Sequence, residues 1–134
     1  MRRTSAVVAV LLLSLAAVSV HAAESKYPNR PIRFIVPFAA GGPSDILARM
    51  VGQKLSESLG QTLVVDNRGA DGGVLGFELG AKAVPDGYTI LLAVNSGLTI
   101  NPHVFKKLPY DPQRHFQPFT QLTSVGNVVV VNPS

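Results

Sequence analysis

Hydrophobic residues along the chain change their spacing repeatedly, and these changes predict alternating strands and helices. The segment Pro31–Phe38 is rich in β-branched and aromatic residues, which predicts a strand. Apolar side chains then recur every three or four positions, the spacing of one helix face, at Ile46, Leu47, Met50, Val51, Leu55 and Leu59. Pro43 suits the first helical position, and Gly60 is placed to end the helix.

The same alternation continues through the rest of the chain. It predicts a strand over Gln61–Asp66, a helix over Val74–Val84 and an almost wholly apolar strand over Tyr88–Val94. An apolar strand of that kind is usually buried on both faces, as in parallel sheets. Leu108–Pro118 holds three prolines and predicts an extended loop, and Val125–Val131 predicts a last strand. Together these elements predict an α/β fold with a mostly parallel sheet and flanking helices.

The first 22 residues have the features of an export signal. Arg2 and Arg3 precede an apolar run at residues 6–20, and Ala22 supplies a small residue at a cleavage point. The run is shorter than the roughly 20 apolar residues that span a membrane, so a cleaved signal is favoured over a membrane anchor. Cleavage would leave residues 23–134 in the periplasm and reduce the 12 Lys and Arg to 10 against 8 Asp and Glu.

Composition narrows the classes of function that the chain can have. Hydrophobic residues make up 46% and charged residues 15%, which is typical of a packed core. The absence of cysteine excludes disulfides, thiolate metal sites and a cysteine nucleophile. There is no phosphate-loop motif, no serine elbow and no run of basic residues for nucleic acid, and His103 and His115 lack metal-ligand spacing. The sequence therefore predicts a protein without catalytic activity, metal or cofactor.

Three loops are expected at the carboxyl ends of the parallel strands, where ligands bind in such sheets. In Phe38–Asp45, two glycines let a ligand approach the backbone, and the following helix start offers N–H groups to an anion. The loop Asn67–Gly73 carries Arg68, which can pair with an anion, and Asn95 and Ser96 follow the apolar strand. Each loop also has a purely structural explanation. In the first loop the glycines only form a turn and Ser44 only caps the helix. In the second loop Arg68 is solvated, and the third loop is an ordinary strand end.

Several motifs in one order resemble a known family. They are YPNRPIRFIVPFAAGGPSDILAR, LGQTLVVDNRGADGG and AKAVPDGYTILLAVNSGLTINPHVFKKLPYDPQRHFQP, of which PDGYT and LPYDP are the most specific. The chain resembles, from about Tyr27 to Ser134, the Bug/TctC family of periplasmic solute receptors of tripartite tricarboxylate transporters. The resemblance implies a type II periplasmic binding protein fold in which two lobes enclose a small organic acid. Because family members are roughly twice as long, it implies an incomplete protein, a first lobe without the second.

The resemblance also implies which residues contact the ligand: Phe38, Ala39, Ala40, Gly41, Gly42, Ser44, Asp45, Asn67, Asn95 and Ser96. The second loop departs from the N-R-P-G-A-G-G common in the family at Gly69 and Asp71, and Asp71 adds a negative charge. The implied function is a receptor for a carboxylate whose partners are the membrane subunits of the transporter. Two alternatives stay open: a truncated remnant that binds nothing, and a small exported hydrolase, which the missing nucleophile and base disfavour.

Overall fold

The computed structural model describes residues 26–126 of the 134-residue chain. The elements are β1 (Ile32–Val36), α1 (Pro43–Leu59), β2 (Leu63–Asn67), a 3₁₀ turn (Asp71–Gly73), α2 (Val74–Ala81), β3 (Thr89–Leu91), a π-helical turn (Ser96–Ile100) and α3 (Asn101–Val104). The predicted export signal at residues 1–22 lies outside the described residues. So does the predicted last strand, except for Val125 and Gly126, whose backbone is irregular.

The sheet of the described residues is parallel, with the strand order β2-β1-β3. The central strand β1 pairs with β2 up to Val36 opposite Asn67, and with β3 up to Ile35 opposite Leu91. This arrangement confirms the predicted α/β class with a parallel sheet and flanking helices. Because all three strands run in one direction, their carboxyl ends meet at one edge of the sheet.

Helix α1 covers one face of the sheet and forms the larger core. The buried apolar residues of this core are Ile32, Phe34, Val36, Ala48, Leu63 and Leu92. Burying one large aliphatic or aromatic side chain is worth roughly 1.5–3 kcal/mol. Gly52 lets the helix approach closely, since its Cβ position is 3.7 Å from the Leu63 Cβ atom. Burial along this face therefore holds α1 against the two strands that carry the first two loops.

Helix α2 lies on the opposite face, over β1 and β3. Its Phe77 is fully buried, as is Ile35 of β1, whose side chain points away from α1 because strand residues alternate between faces. Gly76 packs on the residue that follows β1, with its Cβ position 2.7 Å from the Pro37 Cα atom. The start of the first loop is therefore in direct contact with α2.

The helix boundaries follow the sequence prediction for α1 but not for α2. Gly60 ends α1 in the left-handed region, with φ 68°, and its N–H donates to the Ser56 carbonyl at 3.0 Å. Helix α2 ends at Ala81 rather than at the predicted Val84. Pro85 disfavours helical conformation only at Val84, the residue before it. The Ala83 N–H already donates to the Gly80 carbonyl instead of continuing the helical pattern.

The third predicted strand, Tyr88–Val94, is wrong in length and in burial. Only Thr89–Leu91 is regular, and its three residues are half-buried instead of buried on both faces. Among the described residues, β3 pairs with β1 alone, so it is an edge strand. The Leu92 N–H still donates to the Ile35 carbonyl, but the Ala93 N–H donates to the Leu91 carbonyl and turns the chain out of the sheet. An apolar run thus continues beyond the strand into the third loop.

Candidate functional site

The first loop connects β1 to α1 at the carboxyl edge of the sheet. Ala39, Ala40 and Gly41 are exposed there. Gly41 has φ 85°, a backbone conformation that residues with a side chain rarely adopt. Gly42 occupies the cap position of α1, so the structural explanation of Ser44 as the helix cap is wrong. Within residues 26–126, no side chain caps this helix start. Pro43 has no N–H, so the donors left for a ligand or water in the first turn are the N–H groups of Ser44 and Asp45.

Asp45 lies beneath the first loop and holds it. Its side chain is buried, and its Oδ2 atom accepts hydrogen bonds from the Gly41 N–H at 2.9 Å and from Arg49 Nε at 3.0 Å. The Arg49 hydrogen bond, helped by the Gly41 N–H and opposed by burial, lowers the pKa of Asp45 to about 2. The same hydrogen bond raises the pKa of Arg49. The ionised carboxylate therefore fixes the left-handed turn at Gly41 from below.

Asn67 ties the second loop to the first. Its Nδ2 atom donates to the Phe38 carbonyl at 3.2 Å, and its Oδ1 atom accepts from Arg49 Nη2 at 3.4 Å. Arg49 thus contacts both Asp45 and Asn67, although the sequence interpretation did not select it. The signal that could have found it is the spacing of Asp45 and Arg49, because residues four apart on a helix are neighbours.

Arg68 of the second loop is held in an ion-paired cluster. Its Nε atom lies 2.7 Å from Asp66 Oδ1, and the Nη2 atom of Arg33 lies 2.6 Å from Asp66 Oδ2. Burial opposes ionisation of Asp66, but the hydrogen bonds from the two arginines prevail and lower its pKa. Arg68 is therefore ion-paired but still exposed, with 47% of its side-chain surface accessible, which agrees with its structural explanation as a solvated arginine. Asp71, the other departure in this loop, is exposed.

The third loop begins a helical segment that the sequence interpretation left as a mixed stretch. Asn95 is exposed and Ser96 is half-buried, and both lie where β3 leaves the sheet. The 3₁₀ turn of the second loop contacts the π-helical turn that contains Ser96. The second loop is joined to the first by the bond between Asn67 and Phe38. The ten predicted residues therefore lie along one edge of the sheet, and their contact with a ligand stays a prediction.

Acid is expected to loosen the first loop, because the charge of Asp45 holds it. A carboxyl whose folded pKa is lowered contributes stability above its ordinary pKa, here 3.8, and loses that stability as the pH falls toward about 2. Unfolding by urea at a series of pH values should show a falling free energy of unfolding across this window. Asp45→Asn should have a smaller slope, the remainder coming from Asp66, while the exposed Asp71→Asn should match the parent. Equal slopes in parent and Asp45→Asn would contradict the assignment.

Two features of the described residues bear on other kinds of site. Among residues 26–126, no group of three or more His, Cys, Asp or Glu side chains is placed to hold a metal ion. In the same range, none of the helices has both the length and the apolar character needed to cross a bilayer. The arrangement at the sheet edge consists of backbone N–H groups and short polar side chains. It is suited to binding an anion.

A parallel sheet with helices on both faces, and with polar loops where its strands end, is the architecture of a lobe of a periplasmic binding protein. The solved structure of the periplasmic binding protein BugD matches 64% of this chain at 45% identity, with a TM-score of 0.61. MatC from Rhodopseudomonas palustris, solved with bound malate, matches 69% of this chain at 35% identity, with a TM-score of 0.65. The matched part is 28% of the BugD chain and 31% of the MatC chain.

Residues 47–134 match the family described as the tripartite tricarboxylate transporter family receptor, TctC. The match covers more than half of the sequence, and the chain belongs to this family. BugT of Bordetella pertussis is 37% identical over 99% of this chain and 41% of its own length. The chain spans less than half the length of the curated relatives that it matches. TctC proteins are solute-binding receptors and not enzymes, which agrees with the prediction made from the missing catalytic motifs.

Proposed function

We propose that this chain forms the first lobe of a periplasmic receptor that binds a small organic acid through a carboxylate. The observation that carries the proposal is the open start of α1, where the N–H groups of Ser44 and Asp45, which follow Pro43, have no side-chain acceptor among the described residues. The amino end of a helix attracts anions through these N–H groups and through the helix dipole. The exposed turn at Gly41 leaves room for a ligand to reach them.

The charged side chains around the site balance one another. The ion pair beneath the first loop is neutral, with 3.0 Å between the paired atoms. Arg33 and Arg68 share the single carboxylate of Asp66. The exposed Asp71 of the second loop balances the remaining positive charge. The preference for a carboxylate therefore comes from the N–H groups and the dipole at the start of α1, not from an excess of arginine.

Membership of the TctC family supports the rest of the proposal. A relative of this fold, MatC, has been solved with malate, a small dicarboxylate. We propose that the export signal is removed after Ala22 and that the mature chain works in the periplasm with the membrane subunits of a tripartite transporter. In a two-lobed receptor, closure of the second lobe over the first traps the ligand, so one lobe supplies only part of the contacts.

Calorimetric titration of malate into the full chain tests the proposal. Malate should release or absorb heat in a saturable way, and the neutral diamide of malate should not, because it lacks the negative charge that the start of α1 attracts. The affinity should also fall as salt is added, since part of the attraction is electrostatic. Binding of the diamide as tightly as malate would contradict carboxylate recognition. Absence of binding to malate and to longer dicarboxylates would favour the alternative of a remnant that binds nothing.

A further inference from the structure

The π-helical turn Ser96–Ile100 leaves one of its buried carbonyl groups without a main-chain donor. The Asn101 N–H, which would reach the Gly97 carbonyl in an α-helix, donates to the Ser96 carbonyl instead. In the wider π spacing, the donor for Gly97 would be residue 102. That residue is Pro102, which has no N–H. Gly97 is buried, so its carbonyl needs a donor from elsewhere.

Tyr110 of the LPYDP motif supplies that donor. Its hydroxyl donates to the Gly97 carbonyl at 2.8 Å and accepts from the Asn101 Nδ2 atom at 3.4 Å. Tyr110 and Asn101 are both buried, with 5% and 6% of their surface exposed. The hydroxyl therefore joins the second residue of the π-helical turn to the first residue of α3. The LPYDP motif supplies none of the predicted ligand contacts. Through Tyr110 it instead holds the third loop in place.

The ring of Tyr110 is itself fixed from several sides. It stacks on Phe77 of α2, with 5.2 Å between the ring centroids, and meets the edge of Phe116 at 5.9 Å. Gly97 rests on the same Phe77 ring so closely that a Cβ atom at this position would overlap it. Asp111 accepts hydrogen bonds from two N–H groups of the turn that follows Tyr110. The π-helical turn is therefore held against α2 on one side and by the tyrosine hydroxyl on the other.

We propose that Tyr110 is a positioning residue for the third ligand loop: its hydroxyl replaces the main-chain donor that Pro102 lacks. This holds the π-helical turn in its wide form and places Asn95 and Ser96 at the carboxyl edge of the sheet. The consequence for the ligand rests on the proposed function, whereas the effect on the turn does not. The two parts are tested by separate measurements on the same variants.

The first measurement is hydrogen exchange of the ligand-free full chain, followed by mass spectrometry of peptides. Tyr110→Phe keeps the ring and removes the hydroxyl, and exchange in a peptide covering residues 92–104 should become roughly tenfold faster, as expected for one lost hydrogen bond. Exchange in α1 should not change. Tyr27→Phe is the matched control, because Tyr27 also donates to a glycine carbonyl, that of Gly87, at 2.7 Å and away from the carboxyl edge. Unchanged exchange in Tyr110→Phe, or an equal effect on residues 92–104 in Tyr27→Phe, would overturn the proposal.

A second variant separates the missing donor from a general loss of packing. Pro102→Ala restores an N–H at the position that faces the Gly97 carbonyl. Added to Tyr110→Phe, it should bring the exchange of residues 92–104 back toward the parent rate. If the double variant exchanges as fast as Tyr110→Phe or faster, the hydroxyl does not act as a replacement for that donor.

The second part of the proposal is tested by measuring the affinity of the same variants for malate. Tyr110→Phe should weaken malate binding by about fivefold to tenfold, and Tyr27→Phe should leave it unchanged. Faster exchange with unchanged affinity would overturn the role of Tyr110 in positioning the ligand loop. If the parent chain binds neither malate nor longer dicarboxylates, the proposed function fails, while the exchange experiment still decides the role of Tyr110 in the turn.

Discussion

Replacing Gly42 with valine is expected to abolish carboxylate binding, with a loss of at least about a hundredfold in affinity, and to leave the fold intact. The fold should tolerate the change because Gly42 has φ −81° and its Cβ position meets only the Ala39 carbonyl oxygen, at 3.7 Å. Binding should be lost because the branched side chain would stand over the N–H groups at the start of α1. Blocking close contact with these donors removes the hydrogen bonds of the carboxylate, which are strong because one partner is charged.

The measurement is calorimetry with malate on parent and variant, together with the free energy of unfolding of each. Thr62→Val is a suitable control, because Thr62 is exposed and precedes β2 at the opposite edge of the sheet. The control should bind malate like the parent. Parent-like affinity in Gly42→Val would rule out the first loop as the ligand site, whatever the other loops do.

Replacing Gly69 with alanine is expected to lower the free energy of unfolding by about 1–3 kcal/mol, the usual cost of overpacking. A Cβ atom at this position would lie 2.5 Å from the Ala39 nitrogen and 2.7 Å from the Phe38 carbonyl carbon. Both are backbone atoms, so relief requires the first and second loops to move apart. The movement would strain the hydrogen bond between Asn67 and the Phe38 carbonyl, and malate binding should weaken as well.

Urea unfolding compares Gly69→Ala with Gly42→Ala, which adds the same methyl group in the neighbouring loop. Gly42→Ala should keep the parent stability, because its Cβ position makes one ordinary contact. A Gly69→Ala chain as stable as the parent would mean that the two loops are not in contact at this point. The pair of variants therefore separates close approach of the loops from the general effect of replacing glycine.

The two loops are joined through side chains as well as through this close backbone approach. Arg49 reaches Asp45 on its own helix and Asn67 at the end of β2. Asp45 in turn accepts from the Gly41 N–H, so the exposed turn of the first loop is connected to the second loop through two side chains. We expect a change in either loop to be felt in the other, since both are anchored to the same arginine.

Local patterns along the chain were sufficient to predict helix α1 and the order of the elements from β1 to β3, but not the helical segment that follows. The apolar spacing from Ile46 to Leu59, with Pro43 before it and Gly60 after it, predicts the observed helix because the interactions that form a helix are between residues close in sequence. Parallel pairing followed from the alternation of strands and helices. The motifs placed the chain in its family, as the match over residues 47–134 shows.

The contacts that join the three loops of the candidate site depend instead on residues far apart in sequence, which no local pattern reveals. The apolar run at Tyr88–Val94 predicted a strand buried on both faces, but burial depends on how many neighbours the strand has, and β3 has one among the described residues. The bond between Tyr110 and Gly97 spans 13 positions, and the bond between Asn67 and Phe38 spans 29. Periodicity, composition and turn residues thus account for the order of the elements from β1 to β3 and for the loops at the carboxyl edge. Packing of the helices on the sheet determines which side chains meet there, because contact in three dimensions is a property of the folded chain.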